Sequence, residues 1–176
     1  LAASLQLADE RGLAAVTMHA VAGRLGVTPM ALYRHVANKA DLLDGLVEGI
    51  LLDVPLPDPA APWPDRLGAL ARGTRAAARR HPQIFPLLLQ RPAVTVGARR
   101  TRDVVYDALR EAGLAEFDVV QLERLLSTAM LGFAASEAGG RFAAHSAAQI
   151  DADFARLQDM LASAVLAAVH PAPPVT

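Results

Sequence analysis

The residues with the most specific chemical spacing lie between Thr17 and Val36, where two short helical patterns meet at Leu25-Gly26-Val27. Two helices joined by a turn of about three or four residues must cross steeply, at roughly 90–120°. Such a crossing needs a small residue where the second helix comes close, and Ala22 supplies it. The turn needs a residue tolerant of positive φ, and Gly26 supplies that. Val21, Leu25, Val27 and Leu32 are expected to form the apolar cluster that holds the angle. Thr28 can cap the second helix, with Pro29 at the first helical position, where a missing N–H costs nothing. The spacing is that of a helix-turn-helix, a binding device rather than a bond-making one.

Bond-making signatures are missing from the sequence. There is no Gly-x-Ser-x-Gly elbow, no His-Glu-x-x-His pair and no Gly-rich phosphate loop. Cysteine is absent, which excludes disulfides, thiolate metal sites and cysteine nucleophiles. His145, Asp151 and Asp153 lack a metal-ligand spacing, so neither metal nor cofactor is expected. Arg72, Arg75 and Arg79 share one helical face and, with Arg66 and Arg80, read as a solvated surface.

The elements that must position these residues read as helix almost throughout, with apolar residues recurring at three and four. A first helix over 1–10 places Leu1, Leu5 and Ala8 on one face and stops at Gly12. A second covers 18–25 with Thr17 as its cap, and a third opens at Pro29. The fourth starts after Asn38 and runs from Lys39 to about Leu52. Five prolines between Asp53 and Pro64 then interrupt the pattern, as regular helix cannot hold them. Five further helices are expected over 65–80, 83–90, 95–112, 118–138 and 150–168, the last stopping at His170-Pro171. The fold class is all-α, divided into a reading domain over 1–52, including the connecting helix 39–52, and a larger helical domain over 65–170.

The run Thr17-Met18, Val21-Ala22, Leu25-Gly26-Val27, Ala31 to Val36, Asn38-Lys39 and Leu42-Leu43 resembles the DNA-binding domain of the tetracycline-repressor (TetR) family. Met30 to Val36 looks nearest to the tetracycline-repressor-like branch. The resemblance implies a regulator, a repressor by expectation, whose recognition helix carries Thr28, Pro29, Met30, Ala31, Tyr33, Arg34 and His35. Arg34 and His35 are then donors to phosphate or guanine, and Met30 and Ala31 are apolar contacts for a thymine methyl. Tyr33 and Thr17 suit phosphate oxygens, and Lys39 sits where a helix N-terminus already attracts one. His19 stands where family members carry a longer basic reader.

The net charge of −1 gives no general affinity for nucleic acid, so the reading rests on local geometry. Ahead of Ile50 stand only Arg11, Arg24, Arg34 and Lys39, against five acids. The chain begins on Leu, and an Arg-rich arm ahead of it is expected from the resemblance. No apolar run approaches the roughly 20 residues of a membrane span; a cytoplasmic protein with no membrane partner is expected.

Two long helices remain. Val119, Leu122, Leu125, Leu126, Ala129, Met130 and Phe133 on one, and Phe154, Leu157, Leu161, Ala164, Val165 and Ala168 on the other, cover more than a narrow face. Helices of this kind are buried on two sides, and a homodimer through them is expected. The resemblance implies the same pairing, a double-stranded palindromic DNA operator and a small-molecule effector. The effector contacts expected by position are His81, Phe85, Leu88, Arg102, Tyr106, Met130, Phe133 and Glu137. The alternative is a helical small-molecule carrier or enzyme whose first domain only resembles a DNA reader.

Overall fold

Helix starts are set by short polar side chains that accept a bond from the third residue onward. Thr17 accepts from the Ala20 amide at 3.1 Å, Thr28 from Ala31 at 3.2 Å, Asn38 from Asp41 at 3.1 Å and Thr95 from Ala98 at 3.2 Å. Ser146 and Gln149 close a reciprocal capping box. Each cap is worth about 1 kcal/mol. The computed structural model describes residues 2–170. Among them are nine α-helices: α1 (Ala2–Arg11), α2 (Met18–Leu25), α3 (Pro29–Tyr33), α4 (Lys39–Leu52), α5 (Trp63–Arg80), α6 (Leu87–Gln90), α7 (Val96–Glu111), α8 (Glu116–Ala138) and α9 (Ala147–Val169). A 3-10 turn over Leu13–Ala15 links α1 to α2. Leu1, expected within the first helix, and Pro171, expected at the stop of the last, lie outside the described residues. No described helix is long and apolar enough to cross a membrane.

Pro64 is not part of the interruption. It sits in the first turn of α5, where its missing N–H is harmless, so the helix starts at Trp63 and the irregular stretch is shorter than expected. The sixth helix is shorter too. Pro82 and Pro86 withhold amides, and residues 81–86 form turns instead of joining α6.

One apolar core runs through both halves of the chain. Leu7, Val16, Val21, Ala22, Leu32, Leu42 and Leu46 continue through Ile50 and Val54 into Leu70, Ile84, Phe85 and Ala134. Gly49 permits a close approach, since a Cβ there would stand 2.7 Å from Leu5 Cδ1. The turn cluster differs from expectation. Val21 and Leu32 are buried, but Leu25 is 50% and Val27 44% exposed. The layer beneath the turn is already filled by residues from α1 and α4, which leaves both side chains at the rim.

The arginines of α5 divide: Arg72, Arg79 and Arg80 are exposed as expected, whereas Arg66 and Arg75 are not. Arg75 is buried, with Nε donating to Glu137 at 2.6 Å and a terminal nitrogen 2.7 Å from Asp151. Its guanidinium lies 4.5 Å from the centroid of the Phe154 ring. Arg66 is buried against Glu111. The acids come from α7, α8 and α9, far along the chain, so spacing within α5 could not announce them.

The two long helices split their apolar residues by face. Leu126, Met130, Phe154 and Val165 are buried within the chain, and Leu161 packs among them. Leu125 is 65% exposed, and Phe117, Val120, Met160 and Leu166 are exposed as well. A Cβ added to Gly132 on α8 would meet nothing within 4 Å.

Candidate DNA-reading face, cavity and the joint between them

The helix-turn-helix is built from local bonds. Gly26 adopts φ 67°, and the amides of Gly26 and Val27 return to the carbonyls of Gly23 (3.2 Å) and Ala22 (3.0 Å). This double return closes α2 and aims the chain into α3. Arg34 and His35 do not lie on the recognition helix as expected. The helix ends at Tyr33, Arg34 is its C-cap, and the amides of both turn back to Ala31 and Leu32. A helix of five residues is thus followed by a turn that carries Arg34 and His35.

Thr17, His19, Thr28, Met30, Tyr33, Arg34, His35 and Lys39 are exposed, while Pro29 and Ala31 are half-buried. Met30, at 74% exposure, is the most open of the apolar residues here. The side chains of His19, Tyr33, Arg34, His35 and Lys39 make no hydrogen bond or ion pair among the described residues. The neighbouring Arg24 differs: it is locked onto Glu10 by two bonds of 2.6 Å. That pairing removes one charge from an already modest cationic face. It leaves the free cations at Arg34 and Lys39, beside the α3 turn and the α4 N-terminus.

A cavity of about 820 Å³ lies in the other half, enclosed by α5, α7, α8 and α9 with α4 and α6 at one end. Its walls include Trp63, Leu67, Leu70, Val105, Leu126 and Leu131, with Arg72, Arg91, Thr101 and Gln158 among them. Of the residues expected to meet an effector, Leu88, Arg102 and Met130 line it. The other expected contacts stand elsewhere. Phe85 is fully buried in the core. Tyr106 lies between the guanidinium groups of Arg102 and Arg110. Phe133 packs on Phe142 and Phe154, and Glu137 is held by Arg75 and Arg79. Arg75, then Arg79, hold the Glu137 carboxyl below the ordinary carboxylate range, although burial acts the other way.

His81, the last of the set, belongs to a joint between the halves. Its Nδ1 is 2.8 Å from Asp9 on α1, and its Nε2 is 2.9 Å from Asp53 at the end of α4. Arg80 adds a 2.6 Å bond to Asp53, whose carboxyl is held low by His81 and then by Arg80. Arg100 on α7 donates to the carbonyls of Leu52 (2.6 Å) and Val54 (3.0 Å). Arg91 binds Asp44 at 2.7 Å. Gly97 lets the start of α7 close onto Glu48. The N-terminal half of α4 is therefore held by Arg91 and its C-terminal end by α7, and α1 is tied to that end through His81.

Asp151, once a candidate metal ligand, is engaged with Arg75 and Arg79. Among the described residues no group of three His, Cys, Asp or Glu could hold a metal ion. Residues 63, 67, 70, 71 and 74 line the cavity from α5 at helical spacing. That stripe was a legible signal that the positional reading passed over. Arg91 and Gln158, brought in from α6 and α9, left none.

Comparison with known proteins bears on both halves. The profile described as "Bacterial regulatory proteins, tetR family" matches residues 1–46, and "Tetracyclin repressor-like, C-terminal domain" matches residues 67–161. HTH-type transcriptional repressor DrrR1 of Streptomyces coeruleorubidus is 32% identical over 169 residues, covering 94% of this chain and 62% of the relative. An HTH-type transcriptional regulator of Saccharopolyspora erythraea is 30% identical over 138 residues, covering 78% of this chain and 58% of the relative. The chain thus spans about six tenths of the length of these curated relatives. Among solved structures, Mycobacterium smegmatis BioQ superposes with a TM-score of 0.81 at 26% identity, covering 95% of each chain. Profiles that meet both the helix-turn-helix and most of the larger helical unit leave one conclusion: the chain belongs to the TetR family of bacterial regulatory proteins.

Proposed function

We propose that the protein is a cytoplasmic, dimeric transcription regulator, acting as a repressor that a small molecule releases from its DNA operator. The observation that carries the reading is the pairing of an open helix-turn-helix face with a half-open, largely apolar cavity, joined by α4. BioQ, a relative in fold and sequence, is known with its natural double-stranded DNA operator (TM-score 0.75, 27% identity, 94% of each chain). Residues 1–52 read DNA, and residues 65–170 hold the effector and the second subunit. Met30, Ala31 and Arg34 face bases, while Thr17, Tyr33 and Lys39 hold phosphates.

Dimerisation uses the outward face of α8 and α9, where Phe117, Leu125, Met160 and Leu166 are exposed and Gly132 allows close approach. Leu126 and Leu161 support the chain's own core instead. Two recognition helices reach successive major grooves only when about 34–36 Å apart, and a two-fold dimer then selects a palindromic operator. A ligand that drew α7 against the cavity would move the grip on α4, and α1 would follow through His81. Turning 99% competent protein into 1% requires about 5.5 kcal/mol of preference between the two states. Footprinting on DNA flanking the protein's own gene tests the reading. A protected palindrome supports it, and no protection at any flanking site at low salt overturns it.

A further inference from the structure

Several arginines in the larger half have a carboxylate partner, and those without one are exposed or, like Arg100, bonded to backbone carbonyls, with one exception. Arg66 meets Glu111, Arg75 meets Glu137, Arg91 meets Asp44 and Arg110 meets Glu116. Arg102 is different. It lines the cavity from α7, is half-buried, and has no carboxylate within ion-pair distance among the described residues. Its Nε is shut from solvent and makes no hydrogen bond, and its guanidinium rests 5.7 Å from the centroid of the Tyr106 ring. An unpaired cation beside apolar walls attracts an anion more strongly than one in water does, because the surroundings screen it less. The remaining charges on the cavity do not cancel it. Half-buried Glu123 on α8, which accepts from the Ser127 hydroxyl at 2.8 Å, and exposed Asp159 keep their charge, but neither pairs with Arg102, and the exposed Arg72 and Arg124 leave the unpaired charges of the lining net positive.

We propose that the effector is an amphipathic acid, a largely apolar body carrying one anionic head, whose charge is taken by Arg102. The inference rests on the reading of this cavity as the effector site. Its volume lies within the roughly 300–1,000 Å³ range of pockets that enclose drug-sized molecules. Trp63, Leu67, Leu70, Val105 and Met130 enclose the body, and the planar guanidinium fork matches a carboxylate, sulfonate or enolate head. The placement also links recognition to response. Arg102 is two residues from Arg100, which clamps the carbonyls ending α4, so a ligand that moves Arg102 acts on the helix that leads to the DNA reader.

Two fluorescent probes that share one skeleton test this: 8-anilinonaphthalene-1-sulfonate and the uncharged N-phenyl-1-naphthylamine. The intact protein should bind the sulfonate about tenfold more tightly, the scale of one hydrogen-bonded charge. Arg102→Gln should erase that preference without changing the affinity for the neutral probe, and Arg102→Lys should keep most of it. Thr74→Trp, which fills the cavity from α5, should remove both probes, and Ala162→Trp does the same from α9 if the first variant folds poorly. If either filling variant excludes both probes but Arg102→Gln leaves the sulfonate preference intact, the acid anchor is overturned while the cavity reading stands. If both filling variants fold and bind both probes as the unaltered protein does, the cavity is not the site and both ideas fall.

Discussion

The reading face and the sensing half use the same cation in opposite ways. At the face, Arg34 and Lys39 stand in solvent with no partner among the described residues, as the proposed contact with DNA requires. In the larger half, several arginines are neutralised within the chain, and Arg75 is drawn inward by Glu137 and Asp151. The contrast gives a working rule for this fold. An arginine that is half-buried and still unpaired is a binding group, whereas a buried, paired one is structural. By that rule Arg102 belongs with the reading face, although it lies deep in the other half.

The largest effects should come from exchanging inside for outside on α8. Leu126→Glu buries a carboxylate in the chain's own core and should abolish soluble, folded protein, which circular dichroism and gel filtration would reveal. Leu125→Glu, one residue away, should leave the helical spectrum intact and give monomers by sedimentation. A folded dimer from Leu125→Glu would show that the second subunit lies elsewhere.

Arg75→Ala should cost about 2 kcal/mol in urea unfolding, because it removes the buried partner of Glu137 and leaves the carboxylate to the exposed Arg79 alone. A loss no greater than that of an exposed arginine would erase the distinction between paired and free cations. On the reading face, Arg34→Ala or Met30→Ala should change which bases are preferred, by roughly 1–3 kcal/mol per lost base contact. Lys39→Ala should weaken binding alike on every sequence and lower the salt slope by about one unit. Gel shifts across a salt series on variant operators separate these outcomes, and reversed roles for Arg34 and Lys39 would sink the assignment.

The smallest effect concerns the joint. His81 and Arg80 hold the folded-state carboxyl of Asp53 below its unfolded value. Its stabilising contribution is therefore present in full above the unfolded value, near pH 4, and fades as pH falls through the folded one. Asp53→Asn should be less stable than the unaltered protein at pH 7, and the difference should shrink by pH 3. Asp53 is partly exposed, so solvent screening keeps the change small. A difference that grew in acid would mean the carboxyl is not held low.

Much of the fold and of the reading face was legible before any coordinates. The caps at Thr17, Thr28 and Asn38, the Gly26 turn and the helix stops are decided by residues within a few positions of each other. Bonds from a cap to the third amide, and repeats near 3.6, need no knowledge of distant chain. Even the exposed positions proposed to meet DNA could be named, since side chains that leave the protein need no partner inside it. What lay beyond the sequence depends on residues brought together from far apart. Arg75 and Glu137 are 62 residues apart, and the cavity needs α4 through α9. Helical periodicity marks apolar positions but does not say which neighbour covers them. Successive residues on a helix point about 100° apart, so Leu125 and Leu126 look alike in sequence while one is exposed and the other buried. Only the packing of α8 on α5, α7 and α9 decides which leucine supports the core and which is left at the surface.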